Sequence, residues 1–207
     1  LTLLAAAAPD DAVRLADAAD DVGRKLPNAR SAAYARIIGQ LEELDTPGPA
    51  LSMLRETIRR FAPDNSAFQY ELFRFTCVKG SAADGMTLAR DTQDPKALLQ
   101  ILSERLGPII DPEDSERNAR SEIAYAVGTQ MSSIAREQEA EAMYRFTLEL
   151  QPDHGWAANN LGYLMLEQGR NLEEAERLIE MASQKLPDSE SVTDSLAWVR
   201  YKKGDLA

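Results

Sequence analysis

Apolar residues recur along the chain at three- and four-residue intervals and seldom at alternate positions. In "LEEAERLIEMASQKL" the residues Leu172, Ala175, Leu178, Ile179 and Ala182 fall on one stripe, and the glutamates and Arg177 fall on the other side. A stripe with this period is the face a helix buries against a neighbour. The residues around it agree: Ala, Leu, Glu, Arg and Gln are abundant, and all favour helices. Short turns at "LPNA", "DTPGP", "APDNS", "QPDHG" and "LPDSE" interrupt the helical runs. Helices joined by connections this short lie antiparallel, so the pattern predicts an all-α chain of helix hairpins.

The hairpins repeat. Gly128 and Gly162 lie 34 residues apart, the length of one helix-turn-helix unit. In that register Ala124, Val127, Gly128, Met131, Ala140, Tyr144 and Pro152 stand opposite Ala158, Leu161, Gly162, Met165, Ala175, Ile179 and Pro187. The second copy carries one extra residue in its turn, around Asn171. A third begins with Thr193, Leu196, Ala197 and Gly204 and is cut short at Ala207. Gly162 and Ala175 leave room for two helices to cross closely, and that packing offsets the ~1 kcal/mol a helical glycine costs. Pro187 cannot continue the second helix and so separates repeats.

The Leu161–Gly162 pair, Gly169 at the interhelix turn, Ala175 with Ile179, and Pro187 together resemble the tetratricopeptide repeat. "DSLAWVRYKKGDLA" is similar to the repeats of many bacterial proteins of that family. Two departures stand out. Ala124, Ala158 and Thr193 replace the large aromatic that usually opens the pattern, and Met131, Met165 and Arg200 replace the tyrosine of the first helix. The resemblance implies an α-α superhelix, a solenoid of antiparallel helix hairpins. Its copies span residues 121–154, 155–189 and a truncated 190–207, within a repeat region 121–207.

Residues 1–120 read as a degenerate helical-repeat region. Gly39 and Pro63 are spaced like Gly128 and Pro152, so residues 32–65 form a further expected repeat. Between Ser66 and Arg120 the spacing is irregular; helices of altered length continue the array there, or the loop "LGPIIDPED" marks a subdomain break. "LTLLAAAAPDD" reads as the second half of a helix, with the tail of a secretory signal as the alternative. The expected compartment is therefore cytoplasmic, or periplasmic or cell-envelope if a signal peptide precedes Leu1.

Charge and chemistry narrow the function. A formal net charge of -11 over 207 residues repels nucleic-acid phosphates and anionic lipid. No apolar run reaches the roughly 18 residues a membrane-spanning helix needs. Cys77 is the sole cysteine and lies in an apolar run, so neither an internal disulfide nor a cysteine-rich zinc site can form. His154, the only histidine, sits in the turn "QPDHG" and is expected to cap the next helix rather than to serve a catalytic triad. Gly80, Gly85 and Gly107 read as isolated turn glycines, not a phosphate loop. Glu173 and Glu174, and the acids of "DPEDSE", lack calcium-loop spacing and read as solvated helix starts. No catalytic, metal or cofactor site is expected.

What remains is a surface. In the tetratricopeptide family the first helix of each pair lines a concave groove that holds a peptide or protein segment. Carried over by register, the groove comprises Tyr125 and Thr129, then Trp156, Asn159, Asn160, Tyr163 and Leu166, then Asp194, Trp198 and Tyr201. Aromatic rings supply apolar contact, and an asparagine amide can both donate to and accept from a peptide backbone. The basic clamp that some members use for acidic chaperone tails is missing: beside Asn160 its places hold Tyr125, Thr129, Ser191 and Ser195. The expected function is a non-enzymatic protein-interaction scaffold. Two alternatives are a segment that stacks on other repeats or copies through its open C-terminal half-repeat, forming a homo-oligomer, and the regulatory arm of a larger enzyme.

Overall fold

The computed structural model describes Leu51, Arg55 and residues 66–107 and 116–204. The expected repeat at 32–65, the opening stretch, the loop at 108–115 and the residues after Gly204 lie outside the described residues. The described residues form helices α1 (Ser66–Lys79), α2 (Ala82–Asp91), α3 (Pro95–Leu106), α4 (Glu116–Ser133), α5 (Glu137–Leu150), α6 (Gly155–Glu167), α7 (Leu172–Lys185) and α8 (Glu190–Lys203). No strand occurs among them, and the fold is all-α. The chain divides into two compact units, Leu1–Asp84 and Gly85–Ala207.

In the first unit α1 buries Phe68, Leu72, Phe73, Phe75 and Cys77. Cys77 is 3% exposed, a small apolar filler as its sequence setting predicts. The buried Thr76 hydroxyl donates to the Leu72 carbonyl at 2.7 Å, which removes the cost of a buried unpaired donor. Ser81 and Asp84 cap the start of α2 reciprocally: the Ser81 backbone donates to Asp84 Oδ2 at 2.9 Å, and the Asp84 backbone to Ser81 Oγ at 3.3 Å. Arg55 donates to the Asp84 carbonyl at 3.0 Å.

In the second unit Asp94 caps α3 by accepting from the Ala97 backbone at 2.9 Å, one residue ahead of a proline at the first helical position. Arg120 of α4 donates to carbonyls at the end of α2, to Ala89 at 2.8 Å and Thr92 at 3.2 Å, where a cation also suits the helix dipole. Gly85 is no turn residue: it lies inside α2, and a Cβ there would meet Met143 Sδ and Val127 Cγ1 at 2.9 Å. An isolated glycine in sequence cannot be told from one that lets a second helix in.

From α4 onward the helices pair, α4 with α5 and α6 with α7 being the most extensive contacts. The crossing points are the two glycines in register. A Cβ on Gly128 would lie 2.9 Å from the Tyr144 ring, and one on Gly162 would lie 2.7 Å from Ile179 Cγ1 and 2.9 Å from the Ala175 carbonyl. Ala175, Ile179 and Ala182 of the α7 stripe are fully buried. Between hairpins, Ala158, Ala182 and Val192 form a small core with Leu148, Leu178, Met181 and Leu186 packed on it.

The interhelix turns also repeat. Ala135 (φ 60°), Gly169 (φ 64°) and Gly204 (φ 81°) occupy equivalent positions, and all three are left-handed. In the first two the same pair of bonds closes the helix. Arg136 N donates to the Met131 carbonyl and Ala135 N to the Ser132 carbonyl; Arg170 N and Gly169 N donate likewise to Met165 and Leu166. This is the Schellman arrangement. The extra residue of the second turn is Asn171 (φ 52°), a residue type that tolerates the left-handed region.

Candidate functional site

The first helices α4, α6 and α8 are joined side by side by polar contacts. Asn160 Nδ2 of α6 donates to the Tyr125 hydroxyl of α4 at 3.3 Å, and Trp198 Nε1 of α8 donates to Glu167 Oε1 of α6 at 3.0 Å. Residues 160, 163 and 167 lie three or four apart on α6, and 194, 198 and 201 likewise on α8, so each set shares a helix face. The Trp198 and Tyr201 rings stack 5.2 Å apart at 10°, and the Lys202 ammonium lies 4.8 Å over the Trp198 ring.

Tyr125 is half-buried between two rings, 4.9 Å from His154 and 6.1 Å from Tyr144. Burial pushes both phenols above their ordinary range, partly offset by the polar side chains of Thr129 and Asn160 nearby, so both stay protonated and neutral. Asn159 Nδ2 donates to Asn160 Oδ1 at 3.4 Å and so helps aim the Asn160 amide.

His154 caps α6, Nδ1 accepting from the Ala157 backbone at 3.1 Å. Its partner on the other side was not legible in sequence. Nε2 lies 3.0 Å from Glu122 Oε1 of α4, with both side chains buried. The contact is close but not aligned as a linear hydrogen bond, and Glu122 Oε2 accepts from no group among the described residues. The available signal was an acid inside the apolar run "SEIAYAVG", one turn before Tyr125.

The ten residues chosen from sequence do not share one fate. Tyr163 (45%) and Tyr201 (57%) are among the few exposed large hydrophobic residues. Asp194 is exposed, and Tyr125, Thr129, Trp156, Asn160 and Trp198 are half-buried. Asn159 (3%) and Leu166 (0%) are buried and offer no surface. Leu166 stands one turn beyond Gly162 and continues the packed side of α6, while Asn159 turns inward beside Ala158.

Among the described residues no group of three or more His, Cys, Asp or Glu side chains is placed to hold a metal ion. None of their helices is long and apolar enough to cross a membrane. No protein-family profile matches the chain. A stretch of 69 residues, 33% of the chain, is 35% identical to a curated TPR repeat-containing protein of Pseudomonas aeruginosa. The hairpins, their glycine crossings and this similarity agree. The helix pairs are similar to tetratricopeptide repeats. The match spans only 12% of that relative's own length.

Proposed function

We propose that the chain is a non-enzymatic scaffold that holds an extended segment of another protein along the shared face of α4, α6 and α8. One observation carries this reading: the Tyr125–Asn160 and Glu167–Trp198 contacts make that face continuous from helix to helix, and Tyr163 and Tyr201 stand exposed on its helices. Exposed aromatics beside a half-buried amide suit a segment that presents both side chains and backbone. We further assign residues 121–154, 155–189 and 190–207 to three copies of the repeat, preceded by a degenerate region over 1–120.

The test is capture of a protein from a lysate of the source organism by the full chain and by an Asn160→Ala/Tyr163→Ala variant, with circular dichroism melting of both. A protein retained by the wild type and lost by an equally stable variant supports the face. Equal capture by both overturns it.

The open side of α8 favours a second reading, self-association. Thr193, Ala197 and Arg200 are exposed where their equivalents Ala158, Gly162 and Met165 are buried. Stacking on a second copy would cover them. Light scattering decides: a mass that stays monomeric at high concentration removes this reading.

A further inference from the structure

We infer that Thr129 is a positioning residue that frees Asn160 to hold a main-chain peptide group of the bound segment, by taking the place of Asn160 on the Tyr125 hydroxyl. This role rests on the proposed binding face and adds the chemistry that the face grips.

Threonines elsewhere in the helices show the usual outlet for their hydroxyl. Thr76, Thr147 and Thr193 donate to the carbonyl four residues back, at 2.7, 2.9 and 3.0 Å. Thr129 of α4 does not follow them. Its Oγ1 is enclosed and completes no hydrogen bond among the described residues, so the hydroxyl is not set on the Tyr125 carbonyl. The phenols of Tyr125 and Tyr144 lie close by instead. A buried hydroxyl without a partner is costly, and the remedy one turn back is left unused.

In the free chain Tyr125 is already taken. Its hydroxyl accepts from Asn160 Nδ2 at 3.3 Å, and Asn160 Oδ1 accepts from Asn159 Nδ2 at 3.4 Å. Both bonds are long, so the Asn160 amide is loosely held. Its side chain is half-buried, one turn before the exposed Tyr163. The amide presents a donor and an acceptor in one plane, the complement of a peptide group.

The Tyr125 ring sits between His154 and Tyr144 and does not follow Asn160 outward. If Asn160 left alone, the phenol would lose its partner, and that loss would offset the bond gained with the segment. Thr129 removes the loss. A turn of its side chain sets the hydroxyl on Tyr125, so a single exchange satisfies Thr129 and releases the amide. The four side chains involved, Tyr125, Thr129, Tyr144 and Asn160, carry no charge, which selects for hydrogen-bonding geometry rather than for an ion.

The probe is N-methylacetamide, a single peptide group, titrated into the full chain while NMR follows the Asn160 side-chain amide, with the exposed Gln184 as control. In wild type the Asn160 signals are expected to shift more than those of Gln184. Thr129→Val is expected to weaken the apparent affinity by about three- to tenfold, the size of one hydrogen bond. Thr129→Ser keeps the hydroxyl and is expected to match wild type. Thermal melting separates this role from a structural one: Thr129→Val removes an unpaired hydroxyl and is expected to melt at or above the wild-type temperature. A variant that melts several degrees lower overturns the inference, because the hydroxyl is then engaged in the free chain. Equal affinities in wild type and Thr129→Val, equal losses in Thr129→Val and Thr129→Ser, or an Asn160 response no larger than that of Gln184 overturn it too.

Failure of the face reads differently. Loss of capture by the Asn160→Ala/Tyr163→Ala variant, with equal affinities in this titration, overturns the exchange and keeps the face. Equal capture there, with weakened binding here in Thr129→Val, overturns the face and keeps the exchange.

Discussion

Helices α6 and α8 stand 35 residues apart in the sequence register, yet the side that α6 buries is exposed on α8 among the described residues. Ala158, Gly162, Met165 and Leu166 are buried; their counterparts 35 residues on, Thr193, Ala197, Arg200 and Tyr201, are exposed. On the opposite side the relation reverses: Leu164 is half-buried and its counterpart Val199 is 1% exposed. The repeat register is a statement about backbone geometry, and the residue at each place is a statement about what covers it. Where α7 presses on α6, the chain supplies small or apolar residues. On the matching side of α8 stand a hydroxyl, a methyl group, a guanidinium and a phenol.

The largest expected effect separates Leu166 from Tyr201. Truncating the fully buried leucine with Leu166→Ala is expected to cost about 2–5 kcal/mol, whereas Tyr201→Ala should stay within about 0.5 kcal/mol. Urea titration of both variants checks this, and equal losses would mean that α8 is packed in solution as α6 is.

Next comes the crossing point. Gly162→Val pushes a side chain into Ile179 and the Ala175 carbonyl and is expected to cost about 1–3 kcal/mol. Ala197→Val, at the exposed equivalent, should leave the unfolding midpoint nearly unchanged. A tolerant Gly162 would undercut the close-crossing account of the repeat.

The turns sharpen the comparison further. Ala135 takes a left-handed conformation that Gly169 and Gly204 take without a Cβ. Ala135→Gly is expected to stabilise the chain by about 1 kcal/mol, and Gly169→Ala to destabilise it by a similar amount. Thermal melts of the two variants should move in opposite directions.

The smallest effect is electrostatic. Glu141 of α5 contacts Arg145 and reaches Arg170 just before α7. Burial raises its proton affinity, but the two guanidiniums together outweigh burial and hold the carboxyl below its usual range. A carboxylate depressed in this way contributes stability that is present above the unfolded value of about 4.3 and fades as pH falls through the folded value. Glu141→Gln should therefore flatten the acid limb of the stability curve. With both arginine side chains about two-fifths exposed, the loss at neutral pH should be only ~0.2–1 kcal/mol.

Much of the fold was legible because periodicity and glycine spacing are local and repeat. The stripe through Ala175 and Ile179, the paired glycines and the capping histidine could all be read from the chain itself. The candidate face was less legible. Register alone placed Asn159 and Leu166 beside Asn160 and Tyr163, but one residue along a helix is a turn of about 100°, enough to carry a side chain from surface to core. Glu122 was missed for the opposite reason. An acid in sequence reads as solvated, and only the three-dimensional neighbour, an imidazole 32 residues away, reveals it as buried.

The close crossing at Gly162 has a mechanical consequence. Within the α6–α7 hairpin, backbone and side chain meet with no slack, so the pair moves as a stiff plate. Between first helices the ties on the open face are single hydrogen bonds of 3.0–3.3 Å, which yield by small rotations. The small apolar core between hairpins, Ala158, Ala182 and Val192 with Leu148 and Leu186 packed on it, backs those ties from the other side. Load applied along the array is therefore shared between a greasy seam and a polar one.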